Sequence, residues 1–394
     1  GREGARREAE LREWLREQPL RVLGPNCLGW IRPACRLNLT FAPGMPERGG
    51  IAFVSHSGAL AVAILDWARD RRVGFSLFAS LGNQADLSES DVLEAMAEDA
   101  ETKVIACYLE GVADGRRFLE ALRRAAAAKP VVLLKSGRSA EGARAVSSHT
   151  GALAGSDRGF DAAVRETGAV RVDTVEELFD LSRGLAAQPL PRGRRLAVVT
   201  NGGGLGIVAT DAARAGGLTM AALPGTVVRR LREGLPANAA VGNPIDLVGD
   251  ADATRYGHAL HALGPESADL TLVLLSPQAA TDAASVARTV AATTRQWPIP
   301  VVAALVGGAR VAPGVRTLEE AGIPCFEFPE RAVKTLAGMA RVSEHRQREF
   351  RGERSAPTIE AGPAEAWRRT LGRTISRPLG LADLSPLLTG YGVP

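Results

Sequence analysis

No CxxC pair, HExxH, GxSxG or GxxxxGKS/T loop occurs in this chain of 394 residues. Zinc-ribbon, zincin, α/β-hydrolase and P-loop NTPase readings therefore lose their usual support. Cysteine is scarce: Cys27, Cys35, Cys107 and Cys325 are the four, and Cys107 lies inside an apolar strand pattern. They read as free thiols in a reducing cytoplasm. Long hydrophobic runs are missing too. The longest, such as Val131–Leu134 and Leu270–Leu275, are strand-length and far short of the ~20 residues of a membrane span. Residues 1–18 alternate Glu and Arg and lack the apolar core of a secretory signal. Neither sign of charge dominates, with Lys+Arg 48 against Asp+Glu 44. A pI near 9.1 suggests nucleic acid, but the opening Arg and Glu residues sit at i,i+4 spacings (Glu3–Arg7, Glu8–Arg12), the mark of a solvated helix. No basic stripe interleaved with aromatics follows. The expectation is a cytoplasmic protein with neither a membrane span nor a nucleic-acid partner.

What is present is ordinary globular composition, 45% hydrophobic and 23% charged, in a length that suits two or three domains. From residue 51 a short apolar run, a turn and an amphipathic stretch recur. Strands are expected at Ile51–Val54, Ser76–Ser80, Val104–Leu109 and Val131–Leu134, and helices at Leu60–Arg71, Val92–Asp99, Arg116–Ala127 and Phe160–Glu166. A Pro/Arg-rich stretch, Gln188–Arg195, reads as a linker. The rhythm then restarts: strands Leu196–Thr200, Leu270–Leu275 and Val301–Leu305 alternate with helices Ile207–Ala215, Ala284–Thr294 and Pro329–His345. Such alternation indicates α/β architecture, here two doubly wound parallel sheets in tandem. Before them residues 1–50 offer a charged helix, a short strand at Leu20–Leu23 and a loop; after them 351–366 reads as linker and Leu381–Thr389 as a helix.

Four motifs sit where such sheets carry chemistry. Val54–Leu60 runs from a strand through Ser-His-Ser-Gly into a helix. The N–H groups and dipole of that helix start make an anion site around Ser57, Gly58 and Ala59, although Ser57 also suits a simple cap. Gly24–Gly29 is a tight turn with Asn26 at its apex, and a structural turn needs only its Gly and Pro. His149 lies in the Gly/Ser/Thr-rich loop Ser147–Ser156, where close backbone approach to an anion is possible and imidazole is a competent nucleophile toward phosphorus. Glu110, at the end of strand Val104–Leu109, is placed to orient such a ring, or to be a solvated carboxylate. Asn201–Gly206 opens a helix after a strand, but its glycine spacing is wrong for GxGxxG and no acidic residue closes Leu218–Leu223, which argues against a nicotinamide cofactor.

Taken in order, GPNCLG (24–29), SHSGAL (55–60), GNQADLSESD (82–91), TKVIACYLEG (102–111), SSHTGALAGSD (147–157) and NPIDL (243–247) resemble the NDP-forming acyl-CoA synthetase superfamily. Its members include ADP-forming acetate–CoA ligase, with succinyl-CoA synthetase a distant relative. The resemblance covers about residues 20–345. It implies two flavodoxin-like domains, 49–188 and 192–350, preceded by the C-terminal remnant of a CoA-binding Rossmann domain (1–48) and followed by a linker and the start of an ATP-grasp domain (351–394). It also implies that His149 is the phosphorylated histidine and that Glu110 hydrogen-bonds and stabilises it. Ser57, Gly58 and Ala59 would then bind phosphate, and Asn26 would serve the CoA thioester end. The reaction implied is acid + CoA + ATP = acyl-CoA + ADP + phosphate, through acyl phosphate and phosphohistidine. CoA, phosphate and a small carboxylic acid or acyl-CoA would be handled by an oligomer, with ATP/ADP and Mg²⁺ bound through an ATP-grasp domain in cis or on a β subunit. On this resemblance the chain is expected to be the middle of a longer synthetase. The alternative is a non-catalytic acyl-CoA-sensing module of a protein acetyltransferase. The phosphorylatable histidine favours the enzyme, since the sensor versions typically lack it.

Overall fold

Runs such as Val104–Leu109 and Leu270–Leu275 are apolar at consecutive positions, so both faces of the strand must be covered, as in the middle of a parallel sheet flanked by helices. The computed structural model describes residues 2–139, 141–142, 144, 157–279, 281–351, 365, 367 and 380–390. The chain divides into two units, Gly1–Arg346 and Gln347–Pro394. In the first unit, helix α1 (Arg2–Leu15) precedes a hairpin of β1 (Gly29–Arg32) and β2 (Leu37–Thr40). Then follow β3 (Arg48–Ser55), α2 (Gly58–Asp70), β4 (Phe75–Ser80), α3 (Glu89–Glu98), β5 (Val104–Leu109), α4 (Gly115–Ala128) and β6 (Val131–Lys135). Helix α5 (Asp157–Thr167), β7 (Val170–Val172) and α6 (Val175–Ala187) complete this half. The sheet order is β2-β1-β4-β3-β5-β6-β7, with β1 antiparallel to β4 and every pair from β4 to β7 parallel.

The second sheet repeats the plan. Its elements are β8 (Arg195–Thr200), α7 (Gly203–Ala215), β9 (Thr219–Met220), α8 (Gly225–Gly234), β10 (Ile245–Asp246) and α9 (Ala253–Leu263). They continue with β11 (Leu270–Leu275), α10 (Ala283–Thr294), β12 (Val301–Leu305), α11 (Ala312–Glu320), β13 (Cys325–Phe326) and α12 (Pro329–Phe350). The order is β10-β8-β11-β12-β13, with β9 also paired to β8. Counting only the parallel strands, the first in sequence (β3 or β8) lies second in the row of each sheet, and the strand order reverses across it. The crevice for ligands in such folds opens at that reversal, beyond the carboxyl ends of the strands. Here that means β3/β5 in one half and β8/β11 in the other. Helix α13 (Leu381–Gly390) is the described element of the second unit.

One expectation fails. Residues 20–23 form no strand. Their main chain is tied instead to the loop after β4, with Val22 N–H donating to the Asp86 carboxylate at 2.7 Å and Leu87 N–H to Val22 O at 3.1 Å. The linker 188–195 joins the two halves and is pinned along its length. The Gln188 amide donates to Gly322 O (2.6 Å) and accepts from Val301 N–H (2.9 Å). Arg194 pairs with Glu344 at 2.6 Å, and the Ser343 hydroxyl donates to Pro191 O at 2.6 Å.

The reason is a seam of two helices. Helix α6 is buried almost all round, through Leu178, Phe179, Leu181, Ser182, Gly184 and Leu185, and one hydrophobic cluster runs from Phe53 and Phe75 through Phe179 to Leu336 and Leu272 of the other half. A Cβ on Gly184 would stand 2.6 Å from Thr335 Cγ2, and one on Gly338 would stand 2.7 Å from Leu181 Cδ1. Helices α6 and α12 thus approach closely where glycine leaves room. Arg331 clamps the seam with a two-pronged bond to the nearly buried Asp180, at 2.8 and 2.9 Å.

Candidate functional site

At the carboxyl end of β3 the chain turns through His56 and Ser57 into α2. The buried Ser55 hydroxyl donates to Ser57 O (2.8 Å) and accepts from Ser57 N–H (3.1 Å), which fixes the turn. Ser57 Oγ accepts the Leu60 N–H at 3.3 Å, so this serine caps the helix. The N–H groups of Gly58 and Ala59 belong to the first turn, where no intrahelical acceptor exists and the dipole is positive.

The Asn26 turn meets this helix start from the side. Asn83 N–H donates to Pro25 O at 2.9 Å and Ala85 N–H to Gly24 O at 2.7 Å. The Asn26 amide donates to Asn83 Oδ1 at 3.2 Å, and Leu28 N–H to the Ser80 hydroxyl at 3.3 Å. A Cβ on Gly58 would lie 3.7 Å from that same Ser80 hydroxyl and 3.8 Å from Leu28 N. The ends of β3 and β4 and the Asn26 turn therefore converge. Gly82 makes this possible: its φ is +60°, and a Cβ there would stand 2.3 Å from Pro25 O and 2.5 Å from Asn26 O. Gly82→Ala is expected to push the turn off the sheet edge and to cost about 1–3 kcal/mol from backbone strain. Denaturant unfolding of the purified chain measures this, and unchanged stability would contradict it.

Glu110 lies at the end of β5, on the other side of the crevice, and is 9% exposed. Its main-chain N–H donates to His56 Nδ1 at 3.2 Å. Because Nδ1 accepts, the neutral ring carries its proton on Nε2. That nitrogen lies 3.0 Å from the Gln84 side-chain amide and 3.5 Å from Glu89 Oε2. The Gln84 atom at that distance is Nε2, and the amide turned end for end, which has the same shape, would put its oxygen there to accept. The side chains of His56 and Glu89 are 7% and 3% exposed. Sequence reasoning gave His56, Gln84 and Glu89 no role. A histidine between two serines at a strand end was the available signal.

The segment carrying Gln84 and Glu89 is anchored by charge. Asp86 and Asp91 both pair with Arg21, at 2.9 and 3.2 Å, and Asp91 also binds Arg117. Burial alone would raise the Asp91 carboxyl. The Ser88 main-chain N–H and hydroxyl, with Arg117 and Arg21, outweigh it and bring the value down to about 2. A carboxyl below its ordinary value stabilises the fold above that value and loses the contribution as pH falls toward the folded one. Wild type is therefore expected to exceed Asp91→Asn in urea midpoint above pH 4. The gap should close between about pH 4 and 2, and a pH-independent gap would contradict it.

His149, with the rest of Ser147–Ser156, lies outside the described residues. Both flanks of its segment reach the same sheet edge. Lys135, the last residue of β6, is 2% exposed, and its ammonium lies 3.8 Å from Asp157, the first residue of α5. Asp157 is held in turn by Arg171 at 2.7 Å.

Comparison with known proteins bears on this arrangement. Residues 48–185 match the succinyl-CoA ligase like flavodoxin domain, and residues 196–346 match the Ligase-CoA domain. The alpha subunit of acetate–CoA ligase (ADP-forming) I from Pyrococcus furiosus is 38% identical over 347 residues, covering 87% of this chain and 75% of that one. The chain belongs to the ADP-forming acyl-CoA synthetase family. Acetate–CoA ligase (ADP-forming) I of Archaeoglobus fulgidus is 40% identical over 394 residues, covering all of this chain and 56% of that one. A solved structure of acetyl-coenzyme A synthetase 1 from Candidatus Korarchaeum cryptofilum, in complex with phosphate and ADP, matches with a TM-score of 0.83 at 34% identity. It covers 88% of this chain and 75% of that one.

In this member of the family the second sheet carries a copy of the β3 turn. Thr200 Oγ1 donates to Gly202 O (3.1 Å) and accepts from Gly202 N–H (3.0 Å), as Ser55 does with Ser57. Asn201 stands where His56 stands, and its side chain accepts Ser276 N–H at 2.8 Å and donates to Ser276 O at 2.9 Å. The glycine-rich turn that failed the dinucleotide test is thus the second half's version of the SHSGAL turn.

Among the described residues no helix is long and apolar enough to cross a membrane.

Proposed function

We propose that this chain is the phosphohistidine-carrying part of an ADP-forming acyl-CoA synthetase. The observation that carries the reading is the convergence at the first sheet's crevice. The anion-ready N–H groups of Gly58 and Ala59, the Asn26 turn and Glu110 share one edge, to which both flanks of the His149 segment also come. In the thioester-cleaving direction, phosphate held on the α2 start attacks the thioester carbonyl carbon. A C–O bond forms, the C–S bond breaks and CoA leaves as thiolate, with the Asn26 amide at the thioester end. The helix start offsets the phosphate charge throughout. A ring nitrogen of His149 then attacks phosphorus, and the bond to the acyl oxygen breaks to release the free carboxylate. Glu110 accepts a hydrogen bond from the other ring nitrogen and stabilises the charged phosphohistidine. The phosphoryl group finally passes to ADP. ADP and Mg²⁺ are assigned to an ATP-grasp domain, in cis or on a β subunit, and the Pyrococcus furiosus relative being an alpha subunit supports such a partner.

The test is to incubate the assembled synthetase with ³²P-phosphate and acetyl-CoA without nucleotide. The chain is expected to take up label that is acid-labile and base-stable, as a phosphoramidate is, and only when acyl-CoA is present. No label under conditions of turnover would overturn the reading.

A further inference from the structure

Each half of the chain bridges its crevice with one side chain. In the second half Asn201 Oδ1 accepts the N–H of Ser276, the first residue beyond β11. In the first half His56 Nδ1 accepts the N–H of Glu110, the first residue beyond β5. The neighbouring hydroxyls, Ser55 and Thr200, make the same pair of bonds in both turns. The next strand also closes identically, with Ser136 N–H donating to Leu109 O and Val306 N–H to Leu275 O, both at 2.9 Å. The bridge is thus a repeated feature, and only in the first half does it end on a carboxylate-bearing residue.

We propose that His56 is the positioning residue of Glu110. By accepting that main-chain N–H it sets where β5 stops, and so the direction in which the Glu110 carboxylate leaves the sheet. This rests on the role given above to Glu110. His56 itself touches no substrate, because its side chain is 7% exposed and both ring nitrogens face protein groups. Glu89 has the complementary task. Its carboxylate, 3.5 Å from Nε2, keeps the ring proton on that nitrogen and leaves Nδ1 free to accept. Protonation of Nδ1 would set two donors against each other and break the bridge. The groups facing the ring are Gln84 ahead of α3, Glu89 in its first turn, and Glu110. The main-chain N–H of His56, not the ring, donates to the Tyr108 carbonyl at 3.0 Å.

Asn201 supplies the rescue variant. Asparagine Oδ1 occupies the place of histidine Nδ1, so His56→Asn keeps the accepted bond and drops the arm toward Glu89. His56→Leu fills similar volume and keeps neither. In the assembled synthetase, phosphohistidine formation from γ-³²P-labelled ATP and hydrogen exchange of the peptide containing Glu110 are measured together. For His56→Leu, labelling is expected to slow at least about tenfold and Glu110 exchange to rise about tenfold, the scale of one lost buried hydrogen bond. KM for ATP and CoA should stay within about twofold, because uniform binding is untouched. His56→Asn should remain within about threefold on both readouts. In a Glu110→Gln background, His56→Leu should cost less than about twofold more, since it acts through that carboxylate.

The proposal is overturned if a folded His56→Asn labels tenfold slower, a test that stands even where His56→Leu does not fold. It is also overturned if His56→Leu slows the Glu110→Gln protein as much as it slows the parent. An unlabelled parent would overturn the phosphohistidine reading itself, and the role of His56 with it. A labelled parent whose His56→Leu form is unaffected overturns the role alone.

Discussion

His149→Asn is expected to take ³²P incorporation from ATP to background while the far-ultraviolet circular dichroism stays that of wild type. Asparagine matches one edge of imidazole in shape, but its amide nitrogen holds no free lone pair with which to attack phosphorus, so the intermediate has nowhere to form. Loss of the nucleophile differs in kind from loss of its partner. Glu110→Gln keeps a hydrogen-bond acceptor of the same length and removes only the charge. Labelling should persist there at a rate lower by about 100-fold, within the usual range for a positioned carboxylate. A labelled His149→Asn protein would place the phosphoryl acceptor elsewhere in the chain. Equal losses in the two variants would mean that Glu110 does more than stabilise the ring.

The second large effect is structural. Phe179 is 1% exposed, and its ring centroid lies 5.2 Å from both Phe53 and Trp67 and 6.4 Å from Phe75. Phe179→Ala removes the aromatic centre of the cluster common to both sheets and should cost about 3–5 kcal/mol, because close neighbours on rigid strands cannot collapse into the gap. Both halves are expected to share the loss. Native-state hydrogen exchange should show β11 and β5 losing protection together. If β11 kept wild-type protection, the two sheets would be separate cooperative units and the seam reading wrong.

The parallel core was legible because strands covered on both faces must be apolar at every position, and β5, β11 and β12 begin and end where the runs do. Helix α6 escaped for the same reason. Buried on nearly every side, it shows no one-sided stripe, and only Thr174, whose hydroxyl accepts Glu177 N–H at 3.1 Å, announces its start. The β1–β2 hairpin hid because its alternation points the wrong way, with Leu39 and Phe41 exposed at the sheet edge. Within the site, Ser57 and Glu110 could be picked out because each lies within two residues of a strand's carboxyl end. The links from His56 to Glu110 and Glu89 join residues more than 30 positions apart, and nothing local encodes them. The pairing of the two turns was within reach: Ser-His-Ser-Gly and Thr-Asn-Gly-Gly both begin on the last residue of the first parallel strand of a half. They differ at three of four letters, and what they share is a set of main-chain bonds.

The interlocked helices α6 and α12 also constrain how this chain can be made. Helix α6 leaves the ribosome well before its counterpart, with Ala187 and Pro329 bounding the interval. At ~5–20 residues per second that wait is roughly 7–28 s. Throughout it, the face that will meet Thr335 and Met339 stands open to water on a nascent chain. The first sheet can form in that time, but its last helix cannot be covered. A holding chaperone on the translating ribosome would suit a protein whose first half waits for α12.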